Sequence, residues 1–193
     1  MLFRSLLNCP LCDKRQGPDI LCLSCYRQLK NPIIMEDSVA LGGYEGVLEQ
    51  AIKAYKFKKL RALHQPFAKE LAPLVRSQGW RSQHVCAVPL HWQRLAARGF
   101  NQSALLGKAL AKELGKSYVQ PLSRIRATQQ QARLRQADRQ RNLKDAFHCR
   151  PTTLRSVILV DDVVTTGATL AACHEELKKQ GVERIYYVSL ARA

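Results

Sequence analysis

The chain is short of acid. Only 15 Asp and Glu stand against 31 Lys and Arg in 193 residues, which leaves a formal net charge of +16 and a pI near 9.9. A neutral metabolic enzyme has no need of that excess. It makes the surface an attractor of polyanions, of which nucleic acid is the usual one. Long apolar runs are missing as well: no stretch approaches the ~18 consecutive apolar residues of a membrane-spanning helix. The opening "MLFRSLLNC" carries one Arg and too few apolar residues for the core of a signal peptide. A cytoplasmic chain with no membrane span is expected. Apolar residues still make up 46% of the sequence, enough for the core of one ordinary domain with a small appendage.

Seven cysteines fall into two groups. Cys9, Cys12, Cys22 and Cys25 form C-x2-C-x9-C-x2-C, and Cys86, Cys149 and Cys173 are scattered. In a reducing compartment the first group reads as metal rather than disulfide. Each C-x-x-C can form a knuckle, and two knuckles offer four thiolates in the tetrahedron that suits a structural Zn²⁺. Gly17 and Pro18 can turn the chain back between them. A redox C-x-x-C fits poorly, because no βαβ pattern surrounds either pair. Residues 1–32 are therefore expected to be a four-cysteine zinc module and residues 33–193 the main domain. Cys86 and Cys173 fall on apolar faces and read as small core residues.

Along the main domain, "SVALGGYEG" predicts a strand ending in a Gly-containing turn. "VLEQAIKAYKF" places Val47, Leu48, Ala51, Ile52 and Tyr55 on one helical face. Lys53, Lys56, Lys58, Lys59 and Arg61 cluster around the end of that helix with no acid expected nearby. "RALHQPFAKELAPLVRSQ" predicts a second amphipathic helix, broken or kinked near Pro66 or Pro73. "HVCAVPL" is a short buried strand, followed by the basic, Gly99-containing "HWQRLAARGFNQ". "SALLGKALAKELG" is a helix stopped by Gly115. Residues 124–144 carry Arg124, Arg126, Arg133, Arg135, Arg139, Arg141 and Lys144 against Asp138 alone. No apolar period holds that region down, so a mobile loop with a short helix at its end is expected. "SVILVDD" is a central strand, "GATLAACHEELKKQG" a helix with Leu170, Cys173 and Leu177 inward, and "RIYYVSLAR" a last strand. Strand, helix and strand make a βαβ unit with parallel strands. The fold class is α/β: an open parallel sheet flanked by helices.

The stretch "SVILVDDVVTTGATL" carries the chemistry. It puts Asp161 and Asp162 at the carboxyl end of a buried strand, where an open parallel sheet binds its ligands. Thr165, Thr166, Gly167, Ala168 and Thr169 turn the chain into the next helix. Such a turn offers free backbone N–H groups, the positive end of a helix dipole, and hydroxyls. It lacks the Lys of a G-x-x-x-x-G-K-[ST] loop, so an NTPase is not expected, and it is not the G-x-G-x-x-G motif. A phosphate alone would be repelled by the two carboxylates. A ligand with both a phosphate and vicinal hydroxyls resolves the conflict, as in a ribose 5-phosphate.

That stretch resembles the phosphoribosyl pyrophosphate (PRPP) motif of type I phosphoribosyltransferases. The resemblance implies that Asp161 and Asp162 hold the ribose hydroxyls, that residues 165–169 hold the 5-phosphate, and that Mg²⁺ bridges hydroxyls and pyrophosphate. More widely, the chain is similar to the ComF proteins, which join a zinc knuckle to a phosphoribosyltransferase domain. The similarity rests on "CPLC…CLSC", "GGYEGVLEQAIKAYKF", "VPL…RGFNQ", and a pattern at Thr128, Gln131, Leu134, Asp138, Arg139, Asn142, Ala146 and Phe147. It implies that the loop "PLHWQRLAARGFNQ" faces the pyrophosphate, with Arg94 and Arg98 as counter-charges. It places the Arg-rich segment where such enzymes have a flexible lid.

ComF proteins are linked to natural transformation and the handling of incoming single-stranded DNA. The function expected is a competence protein that binds PRPP with Mg²⁺ and handles single-stranded DNA. The nucleic-acid contacts expected are Lys53, Lys56, Lys58, Lys59 and Arg61 with Arg133, Arg135, Arg139 and Arg141. Tyr55, Phe57 and Trp92 lie in or beside basic stretches and can stack on bases, and each fits equally well as a core or support aromatic. The alternative is a phosphoribosyltransferase of nucleotide or related metabolism with an unidentified acceptor. Other competence or DNA-processing proteins are further partners, docked through the zinc module.

Overall fold

The computed structural model describes residues 8–14, 20–126 and 145–193. The expected loop and its Arg133, Arg135, Arg139 and Arg141 lie outside the described residues.

Six strands form the main sheet: β1 (Ile33–Met35), β2 (Ser38–Gly43), β3 (His84–Ala87), β4 (Ser117–Tyr118), β7 (Ser156–Val164) and β8 (Arg184–Arg192). They lie in the order β1-β2-β8-β7-β3-β4. All neighbours are parallel except the edge pair β1–β2, so the expected parallel sheet carries one antiparallel edge. A separate ribbon pairs β5 (Leu122–Arg124) with β6 (Phe147–Cys149). Arg124, expected at the start of a mobile loop, is therefore a strand residue, with its guanidinium 5.2 Å from the Phe147 ring.

Helices cover both faces. α2 (Gly46–Phe57), α3 (His64–Ser77) and α5 (Gln102–Leu114) share one core with Val85, Ile158, Val160, Val188 and Leu190. α6 (Ala168–Lys179) and the ribbon pack with Cys86, Val157, Leu159 and Cys173 on the other. α3 runs through Pro73 without a break. Pro66 stands in its first turn, where a missing N–H costs nothing, and the buried face Phe67, Leu71 and Val75 holds the rest. α1 (Leu23–Arg27) belongs to the cysteine region, whose Cys9, Leu21, Cys22, Cys25 and Leu29 are buried in the same core as α2 and α3. Lys30 pairs with the buried Glu70 at 2.5 Å and ties that region to α3.

The basic stretch after β3 is also helical: α4 (Trp92–Arg98), capped by His91 and ended by Gly99 at φ 80°. That left-handed conformation favours glycine. A Cβ there would also stand 3.2 Å from the Arg61 guanidinium, which donates to the Gly99 carbonyl.

Candidate functional site

Strand β7 does not stop at the two aspartates. It pairs with β8 through Val164, with Asp161 opposite Ser189. The acid pair is thus built into the carboxyl half of a central strand, on backbone that the sheet holds rigid. Successive strand residues point to opposite faces, so the two carboxylates diverge.

Each carboxylate is already engaged. Ser103 Oγ, in the first turn of α5, donates to Asp161 Oδ1 at 3.0 Å, and the Asp162 amide donates to the same oxygen at 2.8 Å. Asp162 is 5% exposed and its Oδ1 lies 2.8 Å from Lys56 Nζ. Its Oδ2 is buried with no hydrogen-bond partner among the described residues. Burial, then the charge of Asp162, pushes the Asp161 carboxyl up to about 7, against the Asp162 amide, Lys56 and Ser103. The sequence predicted a lysine cluster with no acid nearby. That expectation is corrected: Lys56 turns inward to Asp162, and Lys53 pairs with Glu49 at 2.7 Å. Side chains one turn apart on a helix meet as Lys53 and Glu49 do, whereas the Lys56 partner comes from a distant strand.

The segment "RGFNQS" explains the placement of Ser103. Asn101 caps α5 by accepting from the Ser103 and Ala104 amides, while its Nδ2 donates to the Val88 carbonyl just after β3. Gln102 is buried; its Oε1 accepts from Arg98 at 2.5 Å and its carbonyl from Tyr55 at 2.7 Å. Tyr55 is fully buried against Phe67 and Phe100, so it cannot stack on a base as the sequence suggested.

Cations gather around the acids. Arg98 is half-buried, and burial lowers its pKa while Asp162 raises it and Arg94 lowers it. Arg124 is likewise lowered by burial and then by Arg94, with Cys173 and Asp161 opposing. Arg98 lies in the field of Asp162, Arg124 in that of Asp161 and Arg94 in that of both arginines, so with Lys56 the positive charges outnumber the two carboxylates, which suits a polyanion. Neither Lys56 nor Ser103 was placed at this site from the sequence. The signal was there in "NQS" as an N-cap, but nothing local says what the capped turn faces.

The turn after β7 puts Thr165 and Thr166 in the open and Gly167 at φ 74°, with nothing within 4 Å of where a Cβ would stand. No side chain caps α6 at Gly167, and Thr166 Oγ1 is 3.4 Å from the Ala168 amide. The first amides of α6, including Ala168 and Thr169, lack intrahelical partners and sit at the positive end of its dipole.

The four clustered cysteines come together as the spacing required. Their sulfurs all lie within 4.8 Å of one another. Cys12 Sγ and Cys22 Sγ are 3.6 Å apart, against about 3.8 Å for the edge of a tetrahedron with 2.3 Å Zn–S bonds. Burial opposes ionisation of Cys9, yet backbone donors at Cys22, Leu11 and Cys12 bring its thiol down to about 7. Burial and the neighbouring sulfurs push Cys25 up. Such a set fits a structural metal such as zinc.

On the outer surface Phe57 is 70% and Trp92 65% exposed. Arg98 lies 5.5 Å from the Phe57 ring centre. Beside Phe57, a groove of about 500 Å³ runs between the cysteine knuckle and α2, lined by Pro10, Leu11, Gln50, Lys53, Ala54 and Lys58. Lys58 and Lys59 are exposed, and Arg61 packs 4.9 Å from the Phe100 ring.

A phosphoribosyl transferase domain family matches residues 101–193, the half of the chain from the Asn101 cap onward. The DNA utilization protein YhgH of Salmonella typhi is 34% identical over 191 residues, covering 95% of this chain and 83% of that protein. Competence protein F of Haemophilus influenzae is 34% identical over 179 residues, covering 88% of this chain and 78% of that one. The chain belongs to the ComF/YhgH family of competence proteins. Its fold is that of the phosphoribosyltransferases. The adenine phosphoribosyltransferase of Trypanosoma brucei superposes with a TM-score of 0.51 at 12% identity, over 84% of this chain and 86% of that one. That of Leishmania tarentolae does so at 0.50 and 15%, over 84% and 94%. At such identities the likeness shows the fold alone. For this ComF/YhgH member, no helix among the described residues is long and apolar enough to cross a membrane.

Proposed function

We propose that this ComF/YhgH protein binds PRPP with Mg²⁺ at Asp161, Asp162 and residues 165–169, and handles single-stranded DNA on its basic surface. The observation that carries the reading is Asp162 Oδ2, a buried acceptor with no donor among the described residues, held on the strand that feeds an uncapped helix N-terminus. A buried carboxylate oxygen without a partner is costly. A ribose hydroxyl supplies the missing donor, and the 5-phosphate of the same sugar reaches the first amides of α6, where Thr166 Oγ1 holds that of Ala168 at 3.4 Å. Arg94 and Arg98 face the pyrophosphate side. The hard oxygens of a diol, a pyrophosphate and an acid pair suit Mg²⁺, which when bound neutralises charge between hydroxyls and pyrophosphate. Asp161 and Asp162 then orient the sugar, and the α6 turn fixes its phosphate end.

The metal of the four-cysteine cluster is Zn²⁺ in this reading, since four clustered thiolates suit it. Single-stranded DNA runs along Lys53, Lys58, Lys59 and Arg61 with the exposed ring of Phe57. The names of the YhgH and competence relatives support a role in DNA use. Lys56 leaves that surface, because its ammonium is spent on Asp162.

A second reading is a phosphoribosyltransferase with an unidentified acceptor. The match of residues 101–193 to that domain and the complete acid pair favour it. Calorimetry with PRPP and Mg²⁺, on the natural protein and on Asp161→Asn/Asp162→Asn, tests the shared site. Magnesium-dependent binding that the double variant loses is expected. Binding of PRPP that survives both substitutions moves the site elsewhere. Release of pyrophosphate from bound PRPP then separates the transferase reading from simple binding.

A further inference from the structure

We propose that Lys56 is an exchangeable counter-cation, which neutralises Asp162 in the free protein and passes to the pyrophosphate group when PRPP binds. This rests on the PRPP reading above and adds the residue that tells PRPP from a plain sugar phosphate.

Four features point to exchange. First, the pair is secluded: the Lys56 side chain is 16% exposed and that of Asp162 7%, with 2.8 Å between Nζ and Oδ1. Second, the pair is incomplete, since Asp162 Oδ2 stays without a donor among the described residues. An ammonium has three N–H groups, so one lysine can hold a carboxylate oxygen and still donate elsewhere. Third, two of the arginines nearby already hold other partners. Arg98 donates to Gln102 Oε1 and stacks on Phe57, while Arg61 donates to the Gly99 carbonyl and stacks on Phe100. Fourth, Lys56 ends a flexible four-carbon stem, and its partner is the very carboxylate that the ribose must take. A ribose hydroxyl takes the free Oδ2, so Lys56 keeps Oδ1 until a pyrophosphate draws its ammonium away. The highest concentration of negative charge that PRPP brings is its pyrophosphate. A point-like ammonium serves that group without the fixed fork geometry of arginine.

The chemistry gives a sharp distinction. A lysine that only props up Asp162 matters equally to every ligand with the ribose diol. An exchanging lysine matters to the ligand that carries pyrophosphate. The test is a cycle of two ligands, PRPP with Mg²⁺ and ribose 5-phosphate, against the natural protein, Lys56→Met and Lys56→Arg, by calorimetry. Lys56→Met is expected to lose about tenfold or more in PRPP affinity and less than about threefold in ribose 5-phosphate affinity. Lys56→Arg should recover most of the PRPP affinity. Equal losses on both ligands, or no loss on either, overturn the inference while the PRPP reading stands. If the natural protein binds neither ligand, the PRPP reading itself falls and takes this one with it. Should Lys56→Met fail to fold, a ¹⁵N spectrum of lysine Nζ in the natural protein decides. A protected ammonium signal should shift with PRPP and stay with ribose 5-phosphate; a signal that responds alike to both ligands rejects exchange.

Discussion

Ser103 Oγ donates to Asp161 Oδ1 at 3.0 Å, joining two residues 58 positions apart. The bond favours the ionised carboxylate. Ser103→Ala should therefore push the Asp161 carboxyl above its present value of about 7 and weaken PRPP binding at neutral pH. A ¹³C titration of the aspartate carboxyls measures the first effect. No movement of the Asp161 signal in the variant would show that the hydroxyl bond is idle.

The raised Asp161 pKa also sets a pH dependence. An aspartate in the unfolded chain titrates near ~3.9, whereas burial and Asp162 hold Asp161 at about 7. Between about pH 4 and 7 the folded protein holds more protons than the unfolded one, so this group makes stability fall as pH rises through that window. A ligand hydroxyl selects the carboxylate. PRPP binding should thus release a proton below pH 7 and tighten as pH rises through it. Calorimetry in two buffers of different ionisation heat reads the proton; an uptake on binding contradicts the assignment.

Removing metal should reach the core. Cys9, Cys22 and Cys25 are buried at 1%, 8% and 4% exposure, within the same cluster as α2 and α3. Metal analysis should find about one zinc per chain, and Cys22→Ser with Cys25→Ser should abolish it. The melting temperature is expected to fall in the variant and in chelator-treated protein alike. Equal melting with and without metal would separate the cluster from folding.

Gly167→Ala isolates the phosphate turn. The φ of 74° strains any side chain, while no atom lies within 4 Å of the new Cβ. The backbone cost is about 1–2 kcal/mol. The variant should fold, with PRPP affinity reduced and single-stranded DNA binding unchanged. Undiminished PRPP affinity in calorimetry would free the turn from its role.

For the nucleic-acid surface, Lys58→Glu with Lys59→Glu should lower the slope of log K against log salt by roughly 0.7 for each phosphate that the variant no longer neutralises. Phe57→Ala should weaken binding of a poly-T oligonucleotide without changing that slope, because stacking releases no counterions. Gel-shift titrations at several salt concentrations separate the two. A slope that follows Phe57 instead would place the ring in a structural role.

Much of the site was legible because it is local. The run into Asp161-Asp162 and the turn at Gly167 lie within fifteen consecutive residues, Ser156 to Leu170, and the C-x-x-C pairs declare their own geometry. The inward turn of Lys56 was not legible. On a helix a lysine among lysines reads as solvated, and its partner lies on a strand far along the chain. Tyr55 was legible as part of the apolar face of its helix, and it is buried there. α4 carries no buried residue and so no apolar period to announce it.

The side chain of Asn101 fastens the start of α5 to the chain just after β3 at Val88. The residues between form a loop whose mouth is already shut. Its closure entropy is settled by one amide, and lengthening such a loop adds only slowly to that term. The α4 turn can therefore vary in length without loosening the sheet beneath it, while Gly99 and Phe100 keep its end tied to Arg61 and Tyr55.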